Sequence, residues 1–135
     1  MSNFILANEY VTDTVGLIIY LENRQLGNYS QQIFDSAELG KTTVYVPVMC
    51  LAEILYLSEK KRITAKLSDV YQLFQKYSYF KEFPITVDIV KSAEQITDIP
   101  ELHDRIISAT AKLLNLELIT TDTKIQNSVF VKTIW

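Results

Sequence analysis

The stretch Ile99-Pro100-Glu101-Leu102-His103-Asp104-Arg105-Ile106-Ile107-Ser108-Ala109-Thr110-Ala111-Lys112-Leu113-Leu114-Asn115-Leu116-Glu117-Leu118-Ile119-Thr120-Thr121-Asp122 reads as helix, short turn, strand. Ile106, Ala109 and Leu113, with Ile107, Ala111 and Leu114, recur at three- and four-residue spacing, the period of a helix with an apolar side. Pro100 stands just before this helix, and Asn115 just after it, where a left-handed stop is easy. Residues 116–120 form a short run suited to a buried strand. Asp104 falls in the first helical turn, and Asp122 falls just past the strand's end. In open α/β sheets, ligands bind outside the carboxyl ends of strands, close to helix N-termini. One unit therefore brings two carboxylates to one rim.

Working outward, strands alternate with helical segments along the whole chain. Residues 1–8 read as a loose start. Residues 9–13 read as a short strand ending in Asp13, and residues 14–22 as a helix rich in apolar side chains. A second helix covers residues 30–39, with Ser30 as its expected N-cap and Gly40 as its stop. Residues 43–46 form a second strand. Pro47 then opens a helix that ends in Lys60-Lys61-Arg62, cations suited to a helix C-terminus. A long helix is expected over residues 64–80, a short strand over 83–85, a helix capped by Thr86, and a last strand over 129–135. Strands separated by helices imply parallel pairing with right-handed crossovers. The expected fold class is α/β: three layers, α/β/α, around a central mainly parallel sheet.

Composition narrows the function. With 135 residues, 48% hydrophobic and 21% charged, the chain reads as one globular domain over residues 1–135. Gly16, Gly27 and Gly40 fit neither GxGxxG nor a Walker A loop. Cys50 is the one cysteine, which excludes a disulfide framework and a cysteine-based zinc site. No apolar run reaches membrane-spanning length, and the start lacks a charged signal-peptide pattern, so a cytoplasmic location is expected. A net charge of −3 argues against broad electrostatic binding of duplex DNA. It is compatible with a nuclease, since clustered carboxylates lower the net charge and a bound metal reverses it locally.

Glu53 is the remaining carboxylate of interest. Its helical neighbours at three and four residues are Met49, Cys50, Tyr56 and Leu57, none of them basic. Such a carboxylate must reach solvent or find a cation. Asp13, Glu53, Asp104 and Asp122 each stand at a strand end or on a helix beside one. If they meet at ~5 Å, with an effective dielectric of ~20, each ionised pair repels by about 3 kcal/mol. A hard divalent cation with oxygen ligands, Mg²⁺ or Mn²⁺, answers that repulsion and retains waters for a phosphate substrate.

Four motifs stand in order along the chain: Thr12-Asp13-Thr14, Leu51-Ala52-Glu53-Ile54 after Pro47, Leu102-His103-Asp104-Arg105-Ile106-Ile107 followed by Ala109-Thr110-Ala111, and Leu118-Ile119-Thr120-Thr121-Asp122. They resemble those of the PIN domain, closest to the small VapC-type ribonuclease toxins. Each motif is short, and their order and spacing together carry the resemblance, from about Tyr10 to Trp135. It implies a parallel sheet between helices and cleavage of single-stranded or looped RNA with Mg²⁺ or Mn²⁺. It implies Asp13, Glu53, Asp104 and Asp122 as catalytic metal ligands, with Thr120 supporting the site by hydrogen bonding. It also implies a homodimer and a cognate antitoxin whose tail fills the groove beside the acids. Surplus apolar side chains at Leu17, Ile18, Ile19, Leu51, Leu55 and Leu57 agree with an interface. Thr12 departs from the family, which more often has an aliphatic residue there.

Plainer readings stand beside this one. Taken singly, Asp104 is a first-turn carboxylate favoured by the helix dipole, Asp122 a turn residue and Glu53 an exposed glutamate. Arg105 pairs with Asp104 or touches phosphate. His103 is alone and reads as structural rather than as a general base. Lys60-Lys61-Arg62 reads first as a solvated helix end and second as an RNA contact. The alternatives to a ribonuclease are an inactive PIN-like module that binds protein or RNA, and a small-molecule phosphohydrolase. The latter lacks the DxDxT nucleophile motif it would often use, since Thr12-Asp13-Thr14-Val15-Gly16 does not fit it.

Overall fold

The alternation of strands and helices closes into one sheet with helices packed around it. The computed structural model describes residues 4–135; of the expected loose start, residues 1–3 lie outside the described residues, and 4–8 are neither helix nor strand. The strands are β1 (Glu9–Thr12), β2 (Thr43–Pro47), β3 (Phe80–Phe83), β4 (Leu118–Ile119) and β5 (Thr133–Ile134). They lie in the order β3-β2-β1-β4-β5, and every pairing is parallel. The helices are α1 (Thr14–Leu21), α2 (Asn28–Glu38), α3 (Val48–Glu59), α4 (Leu67–Lys76), α5 (Val87–Gln95), α6 (Leu102–Leu114) and α7 (Thr123–Gln126). This is the three-layer α/β/α architecture that the alternation predicts.

Burial explains the strand sequences. Tyr10, Val11, Val44, Val46, Leu118 and Ile119 are all buried, as strands covered on both faces require. The pairing Val11↔Leu118 and Thr12↔Ile119 sets β4 beside β1. The strand order reverses there, since β2 lies on the other side of β1. The carboxyl ends of β1 and β4 thus flank the topological switch point, where such sheets bind ligands.

Several boundaries differ from expectation, each for a tertiary reason. α2 starts earlier, after Gly27, and Ser30 is not its cap. The main-chain carbonyl of Trp135 accepts from the N–H groups of Tyr29 and Ser30, at 3.0 and 2.9 Å. A distant partner thus replaces the local one. Pro47 ends β2 and caps α3 from outside rather than standing as its first residue. The long helix expected over 64–80 shrinks to α4. Thr64 and Ala65 are held instead by Glu22, whose carboxylate accepts from both backbone N–H groups at 2.7 and 3.0 Å. Phe80 joins β3 because its ring belongs to the core: Tyr20 and Phe34 stack at 4.5 Å between centroids, and Phe34 and Phe80 at 6.0 Å. The strand expected at 83–85 therefore lies at 80–83, and the last strand shortens to Thr133–Ile134. Leu17 and Ile18 are buried and offer no outer apolar surface, whereas Leu55 is exposed. Among the described residues, no helix is long and apolar enough to cross a membrane.

Candidate active site

Asp13 follows β1 directly and is 4% exposed. It is the N-cap of α1, and its Oδ1 accepts from the Gly16 N–H at 2.7 Å. Its Oδ2 accepts from the Thr120 hydroxyl at 2.5 Å. Burial pushes the carboxyl up to about 6, against those two hydrogen bonds, and the nearby charges of Asp122 and Glu53 push it further the same way. The Thr120 oxygen also accepts, taking the Asp122 N–H at 3.0 Å. One hydroxyl thus ties the ends of two neighbouring strands together. Asp122 caps α7, accepting from Lys124 N–H at 2.8 Å and Ile125 N–H at 3.3 Å through Oδ1.

The other two acids come from helices. Glu53 projects from α3, and the Thr14 hydroxyl donates to its Oε1 at 2.5 Å. Its Oε2 lies 3.6 Å from His103 Nδ1, which is also 3.6 Å from a Glu101 oxygen. Asp104 sits in the first turn of α6 without capping it, because Glu101 accepts the N–H groups of His103 and Asp104 at 3.1 Å each. Burial raises the Asp104 carboxyl to about 7, followed by the charges of Glu101, Asp122 and Glu53. No ion pair joins Arg105 to Asp104 among the described residues, and the buried Arg105 Nε has no hydrogen-bond partner.

All four predicted acids thus lie within electrostatic reach of one rim. Asp13 feels Asp122 and Glu53, and Asp104 feels the same two. They do not form a closed ligand cage: among the described residues, no group of three or more His, Cys, Asp or Glu side chains is gathered tightly enough to hold a metal. The donor chemistry still fits a hard cation. It is all carboxylate oxygen, burial and neighbouring acids raise Asp13 and Asp104, and the basic side chain that reaches it is a half-exposed histidine. Asp13, Glu53, Asp104 and Asp122 could hold such an ion together with some of its waters.

Three supporting residues carry no obvious signal in the sequence. Thr14 acts on Glu53 across 39 positions, which no local pattern reveals. Glu101 takes the capping role at α6, and its identity before a first-turn Asp104 is a faint signal. Gly16 is the third: a Cβ there would lie 3.0 Å from Asp13 Oδ1 and 3.2 Å from Thr12 Oγ1. Its spacing of three from a helix-capping aspartate is the mark that could have found it. Cys50 lies beneath the site, fully buried, with its thiol toward the Thr12 carbonyl at 3.7 Å, and burial pushes it well above the ordinary thiol range.

No curated protein matches the chain by sequence. Solved structures do match by fold. A chain of VapBC2 from Rickettsia felis, crystallised on a promoter DNA fragment, superposes with a TM-score of 0.69 at 13% identity, covering 94% of this chain and 98% of that one. A toxin-antitoxin complex from Klebsiella pneumoniae gives 0.64 at 22% identity, covering 93% and 96%. VapC20 of Mycobacterium tuberculosis, described as a Sarcin-Ricin loop cleaving toxin, gives 0.60 at 14% identity, covering 91% and 98%. The sequence itself matches the PIN domain over residues 10–130, a span that begins within β1 and takes in all four acids. The chain belongs to the PIN domain family.

Proposed function

We propose that this chain is a metal-dependent endoribonuclease of the VapC type, hydrolysing phosphodiester bonds in single-stranded or looped RNA. One observation carries the reading. Two carboxyls on one rim, Asp13 and Asp104, are raised to about 6 and about 7 by burial and by neighbouring acids, and among the described residues neither has an ion-pair partner. Such an arrangement is costly in isolation and useful to a cation. Asp13, Glu53, Asp104 and Asp122 would hold Mg²⁺ or Mn²⁺, and when bound the metal supplies activation of water and stabilisation of charge on the phosphate. The protein's own part is to keep the acids in place. Thr120 and the Gly16 N–H fix Asp13, Thr14 fixes one oxygen of Glu53, and Glu101 occupies the α6 cap so that Asp104 remains available. Arg105 would contribute cationic charge toward the substrate.

The similar structures include toxin–antitoxin complexes and a toxin described as Sarcin-Ricin loop cleaving, which supports a nuclease acting on RNA and an antitoxin as partner. We extend the reading to a cytoplasmic homodimer in which residues 1–135 act as one unit. Exposed Leu55, Val87 and Val90 offer apolar surface for self-association.

The test is cleavage of a structured RNA with single-stranded loops in Mg²⁺, in Mn²⁺ and in chelator. Cleavage is expected in both metals and not in chelator. Persistence in chelator would overturn the metal reading. No cleavage of any RNA by a folded protein in either metal would favour the inactive binding module.

A further inference from the structure

We propose that the face of α3 running from Glu53 toward its C-terminus is a binding strip for single-stranded RNA. In it the Tyr56 ring stacks on a base, and Lys60 holds the adjoining phosphate. The inference rests on the nuclease reading of the acid rim and adds how substrate is led to it. Glu53, Tyr56 and Lys60 stand at spacings of three and four, hence on one side of the helix. With a rise of ~1.5 Å per residue, Lys60 lies ~10 Å beyond Glu53 along the axis. That is the reach of about three stacked nucleotides at ~3.4 Å each.

Tyr56 is 54% exposed and has no part in the core. Its ring forms one wall of a cavity of about 340 Å³ that Met49, Ala52 and Leu57 line with apolar surface. Glu53 and His103 complete the lining, so the cavity opens directly beside the acid rim. Lys60 Nζ lies 5.7 Å from the ring centroid and links the aromatic surface to the charged one. Arg24, Lys61 and Arg62 line a separate groove, formed with the segment that follows α3. Glu22 is the acid in that groove, and it is already engaged by Arg24 at 3.1 Å and by the Thr64 and Ala65 N–H groups. Lys61 and Arg62 form no ion pair among the described residues. A cationic track with exposed rings is how proteins hold single strands without reading their sequence.

Charge complementarity selects the occupant. The chain is net negative and its rim is acidic, so RNA can approach favourably only along cations that no acid has neutralised. Lys76 also sits over a ring, that of Tyr77, but Glu38 and Asp69 line the same groove and would repel a phosphate chain. The helix dipole explains cations at the end of α3. It does not explain an exposed tyrosine one turn earlier.

The test uses a labelled ten-nucleotide single-stranded RNA and the full chain carrying Asp104→Asn, followed by fluorescence anisotropy. Tyr56→Ala should weaken binding about tenfold, while Tyr56→Phe, which keeps the ring, should restore it. Lys60→Gln should weaken binding and reduce the slope of log affinity against log salt by about 0.7. In the chain with Asp104 intact, the same substitutions should raise KM more than they lower kcat. If RNA is cleaved and Tyr56→Ala binds as tightly as its parent, the strip is wrong and the nuclease reading stands. If the chain neither binds nor cleaves RNA in Mg²⁺ or Mn²⁺, both fall. If the substitutions spare RNA binding but break self-association in light scattering, the surface serves a protein and the inference is overturned.

Discussion

At the scale of single residues, the site depends on oxygen atoms held against their own repulsion. Asp104→Asn keeps the size of the side chain and removes one charge. It should abolish cleavage, weaken metal binding and leave the metal-free fold intact or more stable, as read by circular dichroism and urea unfolding. A folded Asp104→Asn protein cleaving at near wild-type rate would sink the mechanism. Thr120 donates to Asp13 and accepts from the Asp122 N–H, so Thr120→Val strips a buried and a half-buried partner at once. A loss of about 2–3 kcal/mol in urea unfolding is expected, together with a large loss of activity, and Thr120→Ser should recover most of both. Gly16→Ala should displace the Asp13 carboxylate, because the new Cβ would stand 3.0 Å from Oδ1. Activity should then fall more than stability. Asp13 and Asp122 at strand ends, and Asn115 as a left-handed stop at φ 56°, are legible in the sequence because each depends on its immediate neighbours. Thr14's grip on Glu53 is not legible, because it is made across the fold.

At the scale of elements, helices with a one-sided apolar pattern and local caps were readable. Those whose ends are decided elsewhere were not. α6 is of the first kind. α2 is of the second, since its first N–H groups are met by Trp135. The start of α4 is of the second kind too. Glu22, at the end of α1, accepts from Thr64 and Ala65 and so unwinds what the pattern alone would continue as helix. Burial is the largest single influence and raises its carboxyl, but the hydrogen bonds from Ala65 and Thr64 and the charge of Arg24 together outweigh it and hold the group below the usual range. Glu22→Ala should free the segment between α3 and α4. Limited proteolysis should then cut near residues 60–66 at least several-fold faster, with a modest loss of global stability of about 1–2 kcal/mol. Unchanged cleavage kinetics would show that the segment is held by something else.

At the scale of the whole molecule, the acid rim should make stability a function of pH and, on the proposed reading, of metal. Asp13 and Asp104 are raised from 3.8 to about 6 and about 7. The metal-free folded chain therefore binds more protons than the unfolded chain across that window. The contribution is fully present below pH ~4, is lost as pH rises through about 6 and 7, and is flat above. Asp13 alone, shifted by about two units, corresponds to on the order of 2–3 kcal/mol. The expected result is a metal-free protein distinctly more stable to urea at pH 5 than at pH 8. Millimolar Mg²⁺ should restore stability at pH 8 and do little at pH 5. Equal midpoints at both pH values would show that the acids are compensated.

The sheet order also bears on when the site can exist during synthesis. β1 leaves the ribosome well before its neighbour β4, and the hydroxyl that holds Asp13 arrives 107 residues after it. A growing chain that has made Asp13, Glu53 and Asp104 still lacks both Thr120 and Asp122. It carries three acids and no assembled rim. On the proposed nuclease reading, a chain interrupted before residue 122 holds no complete acid site, and activity should appear only once both strands and both helices of the rim have been made.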